Sequence, residues 1–348
     1  MPRRASITSV LAKAYTRNLK TVTRATMSSS KRLAGQAARA AANARRPPPG
    51  PGEWIAGVAL GPAGARAYHL YKPPGLSLLG EKLPLVVMLH GCAQNGRDFA
   101  TSTRMNRVAA RERFLVLYPE QDRIANAQGC WNWFERRSGK ADAEAATIMA
   151  AVDQACLMYP VDRDRMAIAG LSAGASMAAL VATRYPMRFK AVMMHSGVAP
   201  GAAKSASTAL GAMQGRHVPP MPVTAVGKAM GAAAVFTTLP PLLVVHGDDD
   251  RVVVPGNALS SAAVWAAATA ARAGATRTSQ RGRRYAMRTT DYRHGSRTMV
   301  TLCEIAGLGH AWSGALASKP FGDPAGPDAT RLFWAFAQRA FRHAPHRP

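Results

Sequence analysis

Acid is what this chain has least of. Its 348 residues hold 19 Asp and Glu against 45 Lys and Arg, a formal net charge of +26. No acid precedes Glu53, whereas residues 1–50 carry a basic series from Arg3 and Arg4 to Arg45 and Arg46. Such an excess suits an anionic surface or polymer as partner and says little about core chemistry. Cysteine is scarce too. The four, at 92, 130, 156 and 303, form no Cys-x-x-Cys pair, which argues against a zinc site. They allow one or two disulfides in an oxidising compartment, or none in a reducing one. No run approaches the ~20 consecutive apolar residues of a membrane span. The basic N-terminus also lacks the apolar stretch of ~7–15 residues that a secretory signal needs. There is no internal repeat.

What is present is an apolar fraction of 48%, enough for one large α/β domain or two smaller ones. The breaker cluster at 47–52, Pro-Pro-Pro-Gly-Pro-Gly, separates a basic, disordered tail and linker (1–52) from a folded domain (53–348). Within the tail, 34–45 has the pattern of a basic helix. Short apolar runs predict an early strand at 67–72 and buried strands at 85–89, 114–118, 166–169, 191–195, 242–246 and 299–303. Helices are predicted at 97–113, 141–159, from the 170s to about 185, at 258–273 and at 328–343. Residues 199–241, rich in Gly, Ala, Ser and Pro, predict an irregular insertion or cap. A second basic cluster runs from Arg272 to Arg297. Strands alternating with helices predict an α/β fold: a mostly parallel sheet flanked by helices on both faces.

The chain is organised around 170–174, Gly-Leu-Ser-Ala-Gly, where an apolar strand ends and an Ala-rich helix begins. Gly-x-Ser-x-Gly in a strand–turn–helix setting is the nucleophile elbow of α/β-hydrolases. The serine must stand on a tight turn with its hydroxyl clear of the sheet, and the glycines let strand and helix approach. The Ala173 N–H, at the helix start, can then face a developing oxyanion.

A serine hydroxyl is a weak nucleophile at neutral pH. It needs a histidine base, and the imidazolium that forms needs a carboxylate. In this fold the partners follow in the order Ser, Asp/Glu, His, each after its own strand. The strand at 242–246 leads into His-Gly-Asp-Asp-Asp-Arg-Val, and among its acids Asp250 has the His-Gly-x-x-Asp spacing; Asp248 and Asp249 read as solvated turn residues. His310, in a glycine-rich loop before the last helix, is the base by order and context. His195 and His246, at strand ends, read as structural. The Cys92 N–H, in His90-Gly91-Cys92 after an early strand, is the second oxyanion donor. The Cys92 thiol itself could be a nucleophile, a free core thiol, or half of a disulfide with Cys130. Trp131, Trp133 and Trp312, all in loops, are candidates for an apolar floor under an acyl group, with core packing the alternative.

Five motifs in order carry a family resemblance: His-Gly-Cys-Ala-Gln-Asn (90–95), Gly-Cys-Trp-Asn-Trp-Phe (129–134), Gly-Leu-Ser-Ala-Gly-Ala-Ser (170–176), His-Gly-Asp-Asp-Asp-Arg-Val-Val (246–253) and Gly-Leu-Gly-His-Ala-Trp (307–312). Across about residues 66–340 the chain resembles the polyhydroxybutyrate depolymerase-like esterases. These are bacterial serine hydrolases of the α/β-hydrolase fold, related to feruloyl and acetylxylan esterases. The resemblance implies Ser172 as nucleophile, Asp250 as acid, His310 as base, and the Cys92 and Ala173 amides as oxyanion donors. It implies carboxylic ester hydrolysis through an acyl-enzyme with no metal or organic cofactor, on polyhydroxybutyrate-type or short-chain hydroxyalkanoate esters. The alternative within enzymes is a feruloyl or acetylxylan-type esterase. The alternative from another class is a granule- or nucleic-acid-binding protein acting through the basic arm. Many members are secreted, which implies an extracellular setting. The absence of a clear signal peptide and of a following polymer-binding module leaves a cytoplasmic short-chain esterase open.

Overall fold

The computed structural model describes residues 46–77, 80–216 and 239–342. The basic tail, the helix predicted within it at 34–45 and the centre of the 199–241 insertion lie outside the described residues. In chain order the elements are β1 (Glu53–Gly61), β2 (Gly64–Lys72), β3 (Leu83–Leu89), α1 (Gly96–Thr103), α2 (Met105–Glu112), β4 (Leu115–Pro119), α3 (Lys140–Met158), β5 (Val161–Leu171), α4 (Ala173–Arg184) and β6 (Ala191–His195). There follow α5 (Ala206–Met213), β7 (Leu242–Gly247), α6 (Gly256–Ala268), β8 (Arg272–Ser279), β9 (Met287–His294), β10 (Arg297–Ile305), β11 (Trp312–Ser313), β12 (Gly322–Asp323) and α7 (Ala329–Arg342).

The large sheet has the order β1-β2-β4-β3-β5-β6-β7-β10-β9-β8. From β4 to β10 every pairing is parallel. At either edge the added strands pair antiparallel. This is the expected α/β-hydrolase architecture. The central strands are apolar on both faces because both faces are covered. Leu85, Val87, Ile168, Val192, Val244 and Leu302 point to the side packed by α3, α4 and α6. Their alternates Val86, Met88, Ala167, Met193, Val245 and Cys303 point to the side packed by α1, α2 and α7.

Several predicted elements need correction. The single helix at 97–113 is two, broken at Arg104, whose φ of 56° is left-handed. Neither Gly nor Pro marks that break in the sequence. What Arg104 gains is tertiary: its guanidinium donates to the Gly314 carbonyl. The helix at 258–273 stops at Ala268, and the basic cluster after it forms the antiparallel pair β8, at the sheet edge, and β9 beside it. Every residue of β8 is exposed, so it has no apolar face to give a period-two signal. The insertion is not irregular throughout, since Ser205 and Thr208 form a capping box that starts α5.

The parallel centre sets the position of the site. Chain leaving the carboxyl ends of β3, β5, β7 and β10 gathers at one edge of the sheet, where ligands bind in open α/β sheets. Gly174 shows how close the packing there is. A Cβ built on it would lie 2.2 Å from the Leu89 carbonyl oxygen and 2.5 Å from that of His90, both backbone atoms of the β3 end. Gly174→Ala is therefore expected to destabilise the fold by about 3 kcal/mol or more, as overpacking against an unyielding backbone does. Urea midpoints of the two proteins check it; equal midpoints would show that α4 can shift away at no cost.

Candidate active site

Ser172 sits between the end of β5 and the first residue of α4, with φ 56° and ψ −121°. A non-glycine residue held there stores roughly 1–3 kcal/mol of backbone strain. The surroundings impose it. Ser172 N–H donates to the His195 carbonyl at 2.9 Å, while the Ser172 carbonyl accepts from Ala175 and Ser176 N–H as the helix begins. Gly170 makes the turn feasible, since a Cβ there would meet the Gly174 carbonyl oxygen at 2.2 Å. The hydroxyl of Ser172 is half-buried and makes no hydrogen bond among the described residues.

Asp250 lies past β7, 2% exposed. Its Oδ1 accepts from the N–H groups of Val252 (3.0 Å) and Val253 (2.9 Å). Its Oδ2 faces His310 Nδ1 at 2.8 Å and His246 Nε2 at 3.3 Å. Burial pushes this carboxyl up, but the hydrogen bonds from His246 and His310, the His310 charge and the Val253 N–H outweigh burial and hold it well below the usual carboxylate range. A carboxylate can only accept, so His310 carries its proton on Nδ1 and leaves Nε2 bare. The loops bearing these two residues are fastened together. Asp248 N–H donates to the Ile305 carbonyl and Asp249 N–H to that of Leu308. A Cβ on Gly247 would fall 1.9 Å from the Leu308 carbonyl oxygen. Asp248, expected as a plain turn residue, accepts from Gly307 N–H at 2.7 Å and so clamps the His310 loop. Asp249 is exposed and pairs with Arg251.

The serine and histidine loops share a residue that reading the sequence did not single out as more than structural. His195 ends β6 fully buried, and its carbonyl takes the Ser172 N–H. Its ring Nε2 accepts from Ser313 N–H (3.1 Å), three residues beyond His310, and Nδ1 meets Ser196 Oγ (3.1 Å). Burial, then the charges of His246 and His310, push its pKa from 6.5 down to about 3. The sign follows. The unfolded chain takes up this proton as pH falls below about 6.5, while the folded chain resists it until about 3. The contribution to stability is thus complete above 6.5 and lost below it, at roughly 1.4 kcal/mol per pH unit. Unfolding free energy should fall by about 2 kcal/mol from this group between pH 7 and pH 5. Urea titrations across that range test it, and a flat profile would dismiss the buried neutral ring as its source.

The loop after β3 reaches the serine from the other side. A Cβ on Gly91 would lie 3.6 Å from Ser172 Cβ. Gly91 N–H donates to Gln94 Oε1 (2.9 Å) and Ala93 N–H to the Gln128 carbonyl (2.8 Å). Between them the Cys92 N–H finds no acceptor among the described residues, and neither does that of Ala173. The elbow and this loop thus bring two unspent N–H donors beside one hydroxyl. Cys92 is joined to Cys130 by a disulfide, Cα–Cα 4.3 Å, so its thiol is no nucleophile. Closing that 38-residue separation contributes about 4 kcal/mol by the chain-entropy model. If the Cys92 N–H receives an oxyanion, as the sequence leads one to expect, Cys130→Ser should lower stability and also slow turnover by about 10- to 100-fold in kcat, because such a donor displaced by even ~1 Å loses that much. Kinetics and melting of the variant separate the two effects; unchanged kcat would remove the loop from the reaction.

The three tryptophans do not form a common floor. Trp131 is 1% exposed and Trp312 0%, which corrects the expectation for both. Each indole N–H has an internal acceptor, the His90 carbonyl (3.1 Å) and Thr330 Oγ1 (3.0 Å), so nothing holds either ring at the surface. Trp312 stacks on His195, 5.1 Å between centroids. Trp133 alone is partly exposed, edge-on to Phe134. Its loop is pinned by buried Glu144 of α3, which accepts from Asn132 N–H, Asn132 Nδ2 and Gln121 Nε2. Phe321, absent from the sequence-based candidates, is 38% exposed and lies edge-on to His310 at 6.2 Å. No grouping of His, Cys, Asp and Glu suited to a metal occurs among the described residues.

Comparison with known proteins agrees with this chemistry. The family model described as Esterase PHB depolymerase matches residues 66–282. Poly(3-hydroxyalkanoate) depolymerase C of Paucimonas lemoignei is 31% identical over 176 residues, covering 50% of this chain and 42% of that protein. Feruloyl esterase B of Neurospora crassa is 30% identical, covering 35% and 41%. A probable acetylxylan esterase A of Neosartorya fischeri is 26% identical over 214 residues, covering 59% and 56%. The chain thus spans only about half the length of such relatives. Among solved structures, an acetyl xylan esterase from Aspergillus awamori shares the fold, with TM-score 0.61 and 20% identity over 75% of this chain and 94% of that one.

Proposed function

We propose, on the premise that this chain belongs to the Esterase PHB depolymerase family, that it hydrolyses carboxylic esters through a covalent acyl-serine. The observation that carries the reading is the strained Ser172 and the Asp250–His310 pair, on loops that His195 ties to one another. Ser172 Oγ attacks the ester carbonyl as His310 Nε2 takes its proton. Asp250 holds the Nδ1–H and balances the imidazolium. The oxyanion is received by the N–H groups of Ala173 and Cys92. His310 then gives its proton to the departing alcohol, and water repeats the cycle against the acyl-enzyme.

The substrates we assign are polyhydroxybutyrate-type or short-chain hydroxyalkanoate esters, in keeping with the Paucimonas lemoignei relative. A second reading, an acetylxylan- or feruloyl-type esterase, is favoured by the longer alignments to acetylxylan esterases. Hydrolysis rates on p-nitrophenyl acetate and butyrate, methyl ferulate and solid 3-hydroxybutyrate polymer separate them. The reaction class is tested with phenylmethylsulfonyl fluoride: one equivalent should silence the enzyme, releasing fluoride and leaving the phenylmethylsulfonyl group on the Ser172 peptide. A chain that cleaves none of these esters and takes no label refutes the assignment. The disulfide suits an oxidising compartment, and so an extracellular setting. For the basic arm we propose attachment to an anionic granule or nucleic acid. Deleting residues 1–50 should abolish salt-sensitive retention on either.

A further inference from the structure

At the opposite edge of the sheet from Ser172 lies a cavity of about 610 Å³ whose chemistry the esterase reading does not use. It opens between α7 and the antiparallel strands. Arg277, Arg293, Arg297 and Arg339 surround it, with the hydroxyls of Ser296 and Thr298 beside them. Pro241 precedes β7 and Arg297 begins β10, so the cavity sits at the amino ends of strands whose carboxyl ends carry Asp250 and His310. The length of β10, roughly 25 Å at ~3.3 Å per residue, separates the two.

The charge is only partly neutralised from within. Asp291 is the single carboxylate in the lining, and it is already engaged, taking Arg277 at 2.8 Å and Thr301 Oγ1 at 2.7 Å. Arg293, Arg297 and Arg339 form no ion pair among the described residues. Elsewhere in the fold arginines meet carboxylates, as Arg184 does Asp142 and Arg288 does Glu304. Like charges gathered round one concavity repel, and folding alone gives no reason to gather them. Guanidinium forks match phosphate oxygens in pairs, and serine and threonine hydroxyls add donors. The volume falls in the range of small-molecule sites and exceeds what one phosphate fills. The recess is open to solvent, walled by a helix and a sheet edge with all four arginines exposed around it, a concavity that receives a compact anion rather than tracking a duplex.

We infer that this recess binds a compact oligophosphate, either an inorganic phosphate chain or a nucleoside triphosphate, separately from ester cleavage. Calorimetric titration of the full chain with tripolyphosphate and with ATP, at several salt concentrations, tests it. Saturable binding at one site is expected, weakened tenfold or more in Arg297→Gln/Arg339→Gln. Hydrolysis of p-nitrophenyl butyrate should be unchanged in that variant. A control that removes two exposed arginines elsewhere, Arg107→Gln/Arg123→Gln, should bind as the wild type does. Equal binding of both ligands assigns recognition to the phosphates, whereas a preference for ATP adds the nucleoside. The inference fails if neither ligand saturates near physiological salt, if the double variant binds as tightly as the wild type, or if only a DNA or RNA duplex binds.

Discussion

Ser172→Ala should lower kcat for p-nitrophenyl butyrate by about five to six orders of magnitude, the loss found when a triad serine is removed alone. KM should change little, because the acyl and alcohol contacts remain. The residue left behind still has two unspent N–H groups beside it, so a rate roughly 10³–10⁴ above the uncatalysed one is expected to persist. Stability gives an independent readout. Alanine keeps a Cβ at the φ of 56°, and the fold should melt as before. Ser172→Gly removes the Cβ and should raise stability by about 1 kcal/mol despite equal inactivity. Activity within tenfold of wild type in Ser172→Ala would end the acyl-serine mechanism; a lower melting point in Ser172→Gly would show that the turn is not strained.

Asp250→Asn should cost about 10⁴ in kcat while the protein still folds. The amide oxygen can replace Oδ1 against the Val252 and Val253 N–H groups. Its NH2 then faces the ring nitrogens of His310 and His246, which the carboxylate had accepted from. Donor meets donor, so His310 gains by moving its proton to Nε2, the atom that must act as base. The carboxylate at 250 is held far below its usual range, so it stays ionised wherever the enzyme is folded and cannot produce the acid limb of a rate profile. Its contribution to stability is present above the unfolded value near 4 and is lost only as pH falls further. Steady-state kinetics at pH 8, with melting curves in parallel, test the substitution. A loss smaller than tenfold would hand the triad acid to another group.

The turn at Ser172 was legible because it is written in short local signals. Gly170 and Gly174 flank Ser172 for steric reasons that act within one turn, and the distances to the Gly174, Leu89 and His90 carbonyls bear the steric argument out. The order of strands and their apolar runs likewise followed from a sheet buried on both faces. Strands β1, β8 and β9 escaped because strands at or next to the sheet edge with an exposed face carry no such run. The break at Arg104 escaped because its cause, the Gly314 carbonyl, lies far along the chain.

By itself, then, the sequence determined which groups are chemically able to act and the order in which the fold presents them, since strand period, glycine turns and residue chemistry are properties of neighbours in the chain. Only the tertiary structure decided where they come to rest. It took Trp131 and Trp312 into the core, paired Cys92 with Cys130, made Asp248 a clamp and set His195 between the serine and histidine loops. Burial, pairing and clamping depend on groups tens to hundreds of residues apart, and no local pattern records where a distant carbonyl or carboxylate comes to rest.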